Sequence, residues 1–397
     1  MKDNHSALAG IRVLDLAHFT PGPMCAQILG DLRAEVIKIE RPGGNDDRQA
    51  PPLVDGFGVY YALNNRDKKT VTLNLKTADG QNLLRELVLK SDVLIENFRP
   101  GFLASHGLDY RSLSQLNPRL IMVSVTGYGQ TGPYSQRGGF DMVAQAVGGI
   151  MALNGEPDGP PLKTGTSTAA VVAGLNAAVG VLAALQYRQR TGDGQWLDIA
   201  LLDNAVAQIE ADVPYFGLTG KKLPRVGNRR LYSAPANAFK AADGYVYIAP
   251  GVDSIWRRLC TAIGRPEMGE HPDFSTNEKR LARLEQTERL VQDWIADKQV
   301  QDVVELMEAA EVPCGAVNDV DEVMKDPQVL ARDMIVSARH PRVGSFPVPG
   351  QPLKLSKSPA VPGTEVLDPG RHNEAVLRDL LGHTQEEISA WRASGVV

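Results

Sequence analysis

Short apolar runs alternate with helical stretches through the first half of the chain, and this alternation constrains the fold more than any other feature. Predicted strands cover residues 11–16, 34–39, 70–74, 92–96 and 120–125. Helical patterns separate them, for example at 24–32 and 77–91. Connections of this length join parallel strands, which are covered by helices on both faces. The sequence therefore predicts an α/β fold whose doubly wound parallel sheet binds ligands at the carboxyl ends of its strands.

The residue composition changes after residue 213, and this change predicts a division into domains. Residues 1–213 form the large α/β domain, and residues 214–235, rich in Gly, Pro, Lys and Arg, form a linker. Residues 236–318 form a smaller α+β domain, which opens with a hairpin turned by an Asp-Gly pair. Residues 319–397 are predicted to be a Pro-rich linker followed by helices that return to the large domain.

The composition excludes several classes of protein. A formal net charge of −5 in 397 residues argues against nucleic-acid binding, which needs a concentrated basic surface. The most apolar run, residues 169–185, is rich in Ala, so we expect a packed core helix and no membrane span. Residues 1–6 carry no apolar leader region, so we expect a cytoplasmic protein.

Metal, disulfide and hydrolase sites find no support in the spacing of reactive residues. Three widely spaced cysteines, Cys25, Cys260 and Cys314, favour buried thiols over disulfides or a zinc site. The seven His residues show no metal-ligand spacing, so we expect no bound metal. A serine hydrolase would need a Gly-x-Ser-x-Gly turn, which the sequence lacks.

The loop after the first strand raises the question of dinucleotide binding. Residues 17–23 precede a helix, and Glu40 follows about one βα unit later, which is the order of a dinucleotide-binding motif. However, the GxGxxG fingerprint is absent, and Pro21 and Pro23 remove N–H donors that a pyrophosphate would use. A helix start that is preorganised by proline accounts for the loop better.

Basic and amide side chains follow three predicted strands. They are Arg41, then Leu73, Asn74 and Lys76, then Asn97, Phe98 and Arg99. Guanidinium and ammonium groups suit phosphates, and the planar guanidinium suits them best. A solvated strand end is the alternative for the charged residues, and a core position is the alternative for Phe98.

A glycine-rich passage follows the strand at 120–125 and leads to a helix predicted over 142–153. Asp141 is placed to cap the amino end of this helix, and Phe140 precedes it. Three further residues are candidate cations for a substrate carboxylate, with a surface role as the alternative for each. They are Arg137, Arg229 and Arg230.

Two motifs frame a helix that is rich in small residues. Residues 155–165 read Gly-Glu-Pro-Asp-Gly-Pro-Pro-Leu-Lys-Thr-Gly, and residues 190–198 read Arg-Thr-Gly-Asp-Gly-Gln-Trp-Leu-Asp. Together with the run Gly-Thr-Ser-Thr-Ala-Ala-Val-Val-Ala-Gly at 165–174, they closely resemble the family III CoA-transferases. This CaiB/BaiF family includes formyl-CoA transferase, carnitine CoA-transferase and α-methylacyl-CoA racemase. Its nucleophilic Asp lies four residues before the second glycine of that run, where this chain has Ala170.

The resemblance implies roles for the residues named above. It places Arg41 near the CoA nucleotide, and segments 73–76 and 97–99 against adenosine and pantetheine. It makes Asp141 an acid of the active site and puts Thr20 in a loop that holds substrate. CoA or acyl-CoA is then a substrate, and no tightly bound cofactor is expected. The resemblance also implies an interlocked homodimer, in which each chain threads a ring formed by the other's linkers.

The implied reaction is transfer of CoA from an acyl-CoA donor to a carboxylic acid. In the family, the Asp carboxylate attacks the donor thioester, and CoA then returns to form an aspartyl-CoA thioester, which the acceptor carboxylate attacks. The methyl group of Ala170 can perform none of these steps, so we expect this chain to be an inactive form. Two origins of the alanine stay open: an engineered substitution, favoured by the otherwise intact site, or a natural non-catalytic relative.

Two other functions remain as alternatives. The first is an acyl-CoA racemase or epimerase. In that branch of the family a His just before the acid at position 141 removes the α-proton, whereas Phe140 has no proton-transfer group. A CoA-ester binding protein without turnover is the second. Three arginines in residues 224–235 suggest an anionic acceptor such as a dicarboxylic acid, with succinyl-CoA as donor. Formyl-CoA transferase has a glycine-rich loop in its smaller domain that guards the intermediates, whereas this segment has a single glycine. The resemblance therefore argues against oxalate and formate chemistry in that particular form.

Overall fold

The computed structural model describes residues 6–397, which form two compact units. The first unit contains the described residues up to Ile150, Lys163–Val213 and Pro327–Val397, and the second contains Met151–Leu162 and Pro214–Asp326. Residues 1–5, to which the expectation about a leader partly refers, lie outside the described residues.

The secondary structure follows the predicted alternation. The strands are β1 (Arg12–Asp15), β2 (Glu35–Glu40), β3 (Leu53–Val54), β4 (Phe57–Gly58), β5 (Lys69–Thr72), β6 (Val93–Glu96), β7 (Ile121–Thr126), β8 (Trp196–Ala200), β9 (Asn237–Lys240), β10 (Tyr245–Ile248), β11 (Cys314–Ala316), β12 (Ile335–His340) and β13 (Gly344–Pro349). The helices are α1 (Pro21–Asp31), α2 (Val59–Asn64), α3 (Ala78–Leu89), α4 (Tyr110–Leu116), α5 (Asp141–Val147), α6 (Ile150–Leu153), α7 (Thr168–Thr191), α8 (Leu201–Ala207), α9 (Asp212–Thr219), α10 (Asp253–Ala262), α11 (Pro266–Glu270), α12 (Asn277–Ala282), α13 (Leu284–Ile295), α14 (Val300–Ala309), α15 (Val320–Val323), α16 (Pro327–Ala331) and α17 (Gln385–Ala393). Single turns occur at Asp46–Gln49, Ala104–His106 and Ala375–Leu380.

The first unit is built on a six-stranded parallel sheet in the order β5-β2-β1-β6-β7-β8, which confirms the predicted doubly wound fold. The chain runs outward from β1 in one direction and from β6 in the other. The switch point therefore lies between the carboxyl ends of β1 and β6, where such folds bind ligands. The sequence did not predict β8, because this edge strand carries exposed Trp196 and Asp198 and so lacks the continuous apolar run of the inner strands.

Apolar layers cover both faces of this sheet. On one face Leu14 and Leu94 pack with α3 and α4, and the C-terminal residues Leu377 and Ile388 belong to the same core. On the other face buried residues of β1 and β7 pack against α1 and α7. Alternate residues of each strand thus serve opposite layers, as expected for a parallel sheet that is covered on both sides.

Helix α7 is long and apolar enough to cross a membrane by length and composition, but half of its most apolar window is buried inside the unit. Small residues allow it to lie close to α1. A Cβ atom added to Gly174 would lie 2.9 Å from the carbonyl oxygen of Pro21 and 3.2 Å from Cβ of Met24. The core helix of a globular protein can have the same length and apolar composition, so these two properties are weak evidence for a membrane span.

The second unit contains a three-stranded antiparallel sheet in the order β11-β10-β9, with the predicted hairpin between β9 and β10. Its core includes Trp256 and Val291, from α10 and α13. The segment 214–235, which the sequence predicted as a linker, falls in this unit, because Arg225 and Arg229 bind it there. Residues 319–326, also predicted as linker, fall in the same unit.

Two local predictions differ from the structure. The helix predicted over 142–153 is divided into α5 and α6, since Gly149 adopts a φ of 91°, outside the helical region. Residues 319–397 were predicted to be a Pro-rich linker followed by helices, yet β12 and β13 form an antiparallel hairpin there. Prolines at 347 and 349 obscured this pattern, because proline is typical only of edge strands.

Close packing of α1 and α7 predicts a stability effect. The substitution Gly174→Leu should lower the free energy of unfolding by about 1–3 kcal/mol, because the added side chain overlaps the start of α1. Chemical denaturation measures this loss. Gln189→Leu introduces the same side chain on an exposed part of α7 and should cost much less; equal losses would contradict the packing argument.

Candidate active site at the switch point

A buried ionic cluster lies beneath the loop that follows β1. Asp15, Lys38 and Lys68 are at most 1% exposed. The Nζ atom of Lys68 lies 2.7 Å from Oδ2 of Asp15, and that of Lys38 lies 3.3 Å from the same oxygen. Lys68 also donates to the carbonyl of Pro23 at 2.9 Å, and Lys38 donates to the carbonyl of Ala17. The cluster therefore fixes the loop at both of its ends.

The protonation of this cluster reflects its burial. Burial alone would raise the pKa of Asp15, but the two ammonium groups outweigh it and hold that pKa below its usual value. Burial lowers the pKa of Lys68 to about 8, in spite of Asp15. No sequence motif indicates this cluster, although a lysine inside an apolar, doubly covered strand is a signal for Lys38.

Side chains also hold the middle of the loop. The Asn97 amide accepts from the His18 N–H at 2.9 Å and donates to the His18 carbonyl at 2.8 Å. Buried Asp47 accepts from the Phe19 N–H at 3.0 Å. Phe19 has a φ of 61°, which is unusual for a residue with a side chain. These bonds hold the backbone of His18 and Phe19 in place.

Two cavities meet at this loop, and His18 and Phe19 line both of them. Cavity A, of about 270 Å³, lies at the carboxyl ends of β1, β2, β5 and β6. Cavity B, of about 380 Å³, lies on the other side of the loop, next to α5 and the start of α7. A long ligand that filled both cavities would pass Phe19.

Cavity A brings together most of the residues predicted to bind a nucleotide. They are Arg41, Leu73, Asn74, Lys76 and Phe98. The Arg41 side chain is already oriented, because it donates to the Gly44 carbonyl at 2.8 Å and binds Asp46. Two residues of the predicted set lie elsewhere. Asn97 lines cavity B, and Arg99 lines a separate cavity with Glu96, because the Glu96–Phe98 turn directs the chain away from cavity A.

Cavity B contains Thr20, Phe140, Asp141 and Ala170, four of the residues predicted from the sequence. It also contains Tyr60, which was not predicted from the sequence and whose hydroxyl contacts the Thr20 hydroxyl. No local pattern identifies Tyr60, since it lies on short helix α2. The Phe140 ring is 65% exposed and packs edge to face on Phe19, with 6.5 Å between the ring centres.

Asp141 differs from its predicted role as the cap of its own helix. It is the first residue of α5, and its Oδ1 atom accepts from the backbone N–H of Ala170 at 2.9 Å. It therefore caps α7, whose own N-cap residue Ser167 makes no side-chain cap. Buried Gln145 donates to Asp141 at 2.7 Å and accepts from the Thr164 N–H at 3.0 Å. The position of Ala170 is thus fixed by side chains of α5.

The structure does not place the three candidate substrate arginines in cavity A or cavity B. Arg137 is exposed, and its guanidinium lies 3.7 Å from the centre of the Tyr134 ring. Arg229 belongs to the second unit, where Glu288 takes two of its nitrogen donors at 2.9–3.1 Å. The donors that a substrate carboxylate would need are therefore occupied. Arg230 is exposed in the same unit.

A further carboxyl group shapes the turn between the cavities. Glu96 is 4% exposed, and its Oε2 atom accepts from the Phe98 N–H at 2.8 Å. Burial raises the pKa of Glu96 to about 7, against the effect of its hydrogen bonds to Ser124 and Phe98. Among residues 6–397, no group of His, Cys, Asp and Glu side chains has the arrangement of a metal site.

The raised pKa of Glu96 predicts a pH-dependent stability. Between the ordinary pKa of 4.5 and the raised value of about 7, the folded chain keeps a proton that the unfolded chain has lost. Stability should therefore fall as pH rises through this range, by about 3 kcal/mol. Denaturation midpoints at pH 4.5 and 7.5 would measure the change. Glu96→Gln should remove most of it, and the exposed control Glu386→Gln should not.

Comparisons with known proteins agree with this geometry. The model of CoA-transferase family III matches residues 8–373. Succinyl-CoA–D-citramalate CoA-transferase of Chloroflexus aurantiacus is 36% identical over 395 residues, 98% of each chain. Formyl-CoA:oxalate CoA-transferase of Streptomyces avermitilis is 37% identical over 413 aligned positions, 98% of this chain and 99% of that protein.

Two solved structures share the fold. A CaiB/BaiF family protein from Brucella suis has a TM-score of 0.86 and 34% identity, over 96% of this chain and 100% of that one. An alanine-for-aspartate mutant of Rv3272 from Mycobacterium tuberculosis has a TM-score of 0.81 and 31% identity, over 93% of this chain and 98% of that one. The match over nearly the whole chain shows that this protein belongs to the family III CoA-transferases.

Proposed function

We propose that this site evolved to transfer CoA from an acyl-CoA donor to a carboxylic acid, and that the present chain binds CoA thioesters without transferring them. The observation that carries the proposal is the position of Ala170. Its methyl group lies at the wall of cavity B, with the backbone held by Asp141, where a carboxylate could attack a thioester. Neither an engineered nor a natural origin of the alanine is favoured by the geometry.

The two cavities suit the two ends of a CoA thioester. Arg41 and Lys76 provide cations for the diphosphate in cavity A, and Phe98 provides an aromatic surface there. Pantetheine would pass Phe19 into cavity B, because His18 and Phe19 are shared by both cavities. The acyl group would then lie beside Thr20, Phe140 and residue 170. CoA acts here as a substrate.

An aspartate at position 170 would complete the chemistry. Its carboxylate would attack the donor thioester, forming a mixed anhydride and releasing CoA thiolate. The thiolate would attack the aspartyl carbonyl and release the donor acid, which leaves an aspartyl-CoA thioester. The acceptor carboxylate would attack this thioester, forming a second mixed anhydride and releasing CoA thiolate. The thiolate would then attack the carbonyl of the acceptor, which yields the new CoA thioester and frees the aspartate. The amino end of α7 favours the negative charge that develops during each attack.

We propose succinyl-CoA as the donor and a dicarboxylic acid as the acceptor. Relatives named for succinyl-CoA, with citramalate, malate or glutarate as partner acids, support this choice. Relatives named for formyl-CoA and oxalate are equally similar in sequence, so identity alone does not decide between the acids. Arg229 does not support this choice of acceptor, because its guanidinium already forms an ion pair with Glu288. Racemisation is not proposed, since Phe140 offers no base.

We also propose that the chain forms a homodimer, interlocked as in the family, and acts in the cytoplasm. Helix α7 exposes a row of apolar residues at helical spacing. They are Leu175, Val179 and Leu182, which are 43%, 62% and 38% exposed. A row of this kind on a core helix is typical of a surface that a second copy covers.

Restoring the carboxylate tests the proposed reaction. Ala170→Asp should raise CoA transfer from succinyl-CoA to a panel of dicarboxylic acids from background by several orders of magnitude, because it restores covalent catalysis. The measurement is chromatographic detection of the new CoA thioester. Ala170→Asn has nearly the same shape without a nucleophilic carboxylate and should stay inactive. Absence of transfer with every acid would refute the proposal.

The dimer has its own test. Val179→Glu places a charge in the exposed apolar row of α7 and should shift the protein towards monomer, because burying an unpaired charge is costly. Light scattering after size-exclusion chromatography measures the mass. Gln385→Glu, on exposed α17, is the control. Elution of the unsubstituted chain as a monomer at micromolar concentration would refute the dimer.

A further inference from the structure

A third cavity, cavity C, adjoins cavity A. It measures about 240 Å³, and Arg41, Asn45 and Asp46 line both cavities. The rest of its wall comes from the loop after β2, the β3–β4 hairpin and the C-terminal part of the first unit. The residues that matter here are Gly43, Gly44, Arg48, His340, Arg342 and Asp368. A ligand in cavity A would therefore have Arg41 between it and a second polar space.

Cavity C depends on glycine at its edge. Gly44 has a φ of 92°, and an added Cβ atom would lie 2.8 Å from Pro369 and 2.9 Å from Cδ of Arg48. Any larger residue would force these side chains to move. The backbone N–H of Gly43 has no hydrogen-bond acceptor among residues 6–397 and so remains available as a donor.

The cations around cavity C are not equivalent. Arg48 is fully engaged, since Glu40 accepts two of its hydrogen bonds at 2.7 Å and the Leu367 carbonyl accepts another at 2.9 Å. Arg41 is partly engaged by Asp46. Arg342 makes one side-chain bond in the described chain, a weak one of 3.3 Å to the Gly56 carbonyl, and no ion pair.

The carboxylates nearby are also accounted for. Glu40 forms an ion pair with Arg48, and Asp46 forms one with Arg41. Asp368 lies 3.5 Å from the Nε2 atom of His340. Within residues 6–397, the exposed guanidinium of Arg342 is therefore the positive charge of this cavity that has no ion-pair partner. An anion bound to Arg342 would meet no unpaired carboxylate except the exposed side of Asp368.

We propose that cavity C binds the 3′-phosphate of CoA, with Arg342 as its principal cation. This inference rests on the proposed function, which puts the nucleotide in cavity A. The 3′-phosphate is a monoester with close to two negative charges, and a planar guanidinium binds such a group best. Arg41 lies between the two cavities. The diphosphate would therefore bind Arg41, and the 3′-phosphate would bind Arg342. The Gly43 N–H adds a neutral donor.

Calorimetry with two nucleotides tests the proposal directly on the protein as it exists. CoA and 3′-dephospho-CoA differ only in the phosphate at issue. We expect the unsubstituted chain to bind CoA at least tenfold more tightly. Arg342→Ala should weaken CoA binding roughly tenfold, the loss of one charge-assisted contact, and leave dephospho-CoA binding unchanged. Arg342→Lys should fall between the two.

Two further measurements distinguish a specific phosphate site from general attraction between CoA and a basic surface. Arg332→Ala removes an exposed arginine just after α16 that lies outside cavity C and should change neither affinity. Adenosine 3′,5′-bisphosphate should compete with CoA, whereas millimolar inorganic phosphate should compete weakly.

Several results would overturn the inference. Equal affinities for CoA and dephospho-CoA would do so, as would an equal loss of both in Arg342→Ala. If phosphate alone bound through Arg342 while the two nucleotides bound alike, cavity C would be a separate phosphate site. Failure of either nucleotide to bind would instead refute the proposed function, and this inference with it.

Discussion

The buried cluster of Asp15, Lys38 and Lys68 is the constraint on which the site depends. It joins β1, β2 and the segment before β5, and it holds both ends of the loop at the switch point. Removing one member of such a cluster leaves a buried charge without compensation, which is strongly destabilising. The cluster therefore anchors the loop through groups of the chain itself.

That fixed loop shows how two cavities can serve one long ligand. Asn97 and Asp47 hold the backbone of His18 and Phe19, so the Phe19 ring stays between cavity A and cavity B. Asp141 fixes the start of α7 on the other side of cavity B. Both walls of cavity B are thus positioned by hydrogen bonds to backbone groups, which is the preorganisation that the proposed reaction would require.

The parts of the site that sequence could predict are those set by local pattern. Arg41, Asn74 and Lys76 follow strand ends, and parallel strand ends meet at one edge of a sheet. Tyr60, Asp47 and Gln145 could not be found in this way, because their roles arise from partners distant in sequence. For the same reason Arg229 was a poor candidate: its partner Glu288 is 59 residues away.

The sequence by itself determined the alternating α/β architecture and the family, because periodicity and motif spacing are local properties. Only the tertiary structure decided which charges are free. Arg48 is neutralised by Glu40 while Arg342 is not, and Asp141 caps α7 although it begins α5. These differences depend on contacts between segments far apart in the chain, which burial strengthens and which no short pattern encodes.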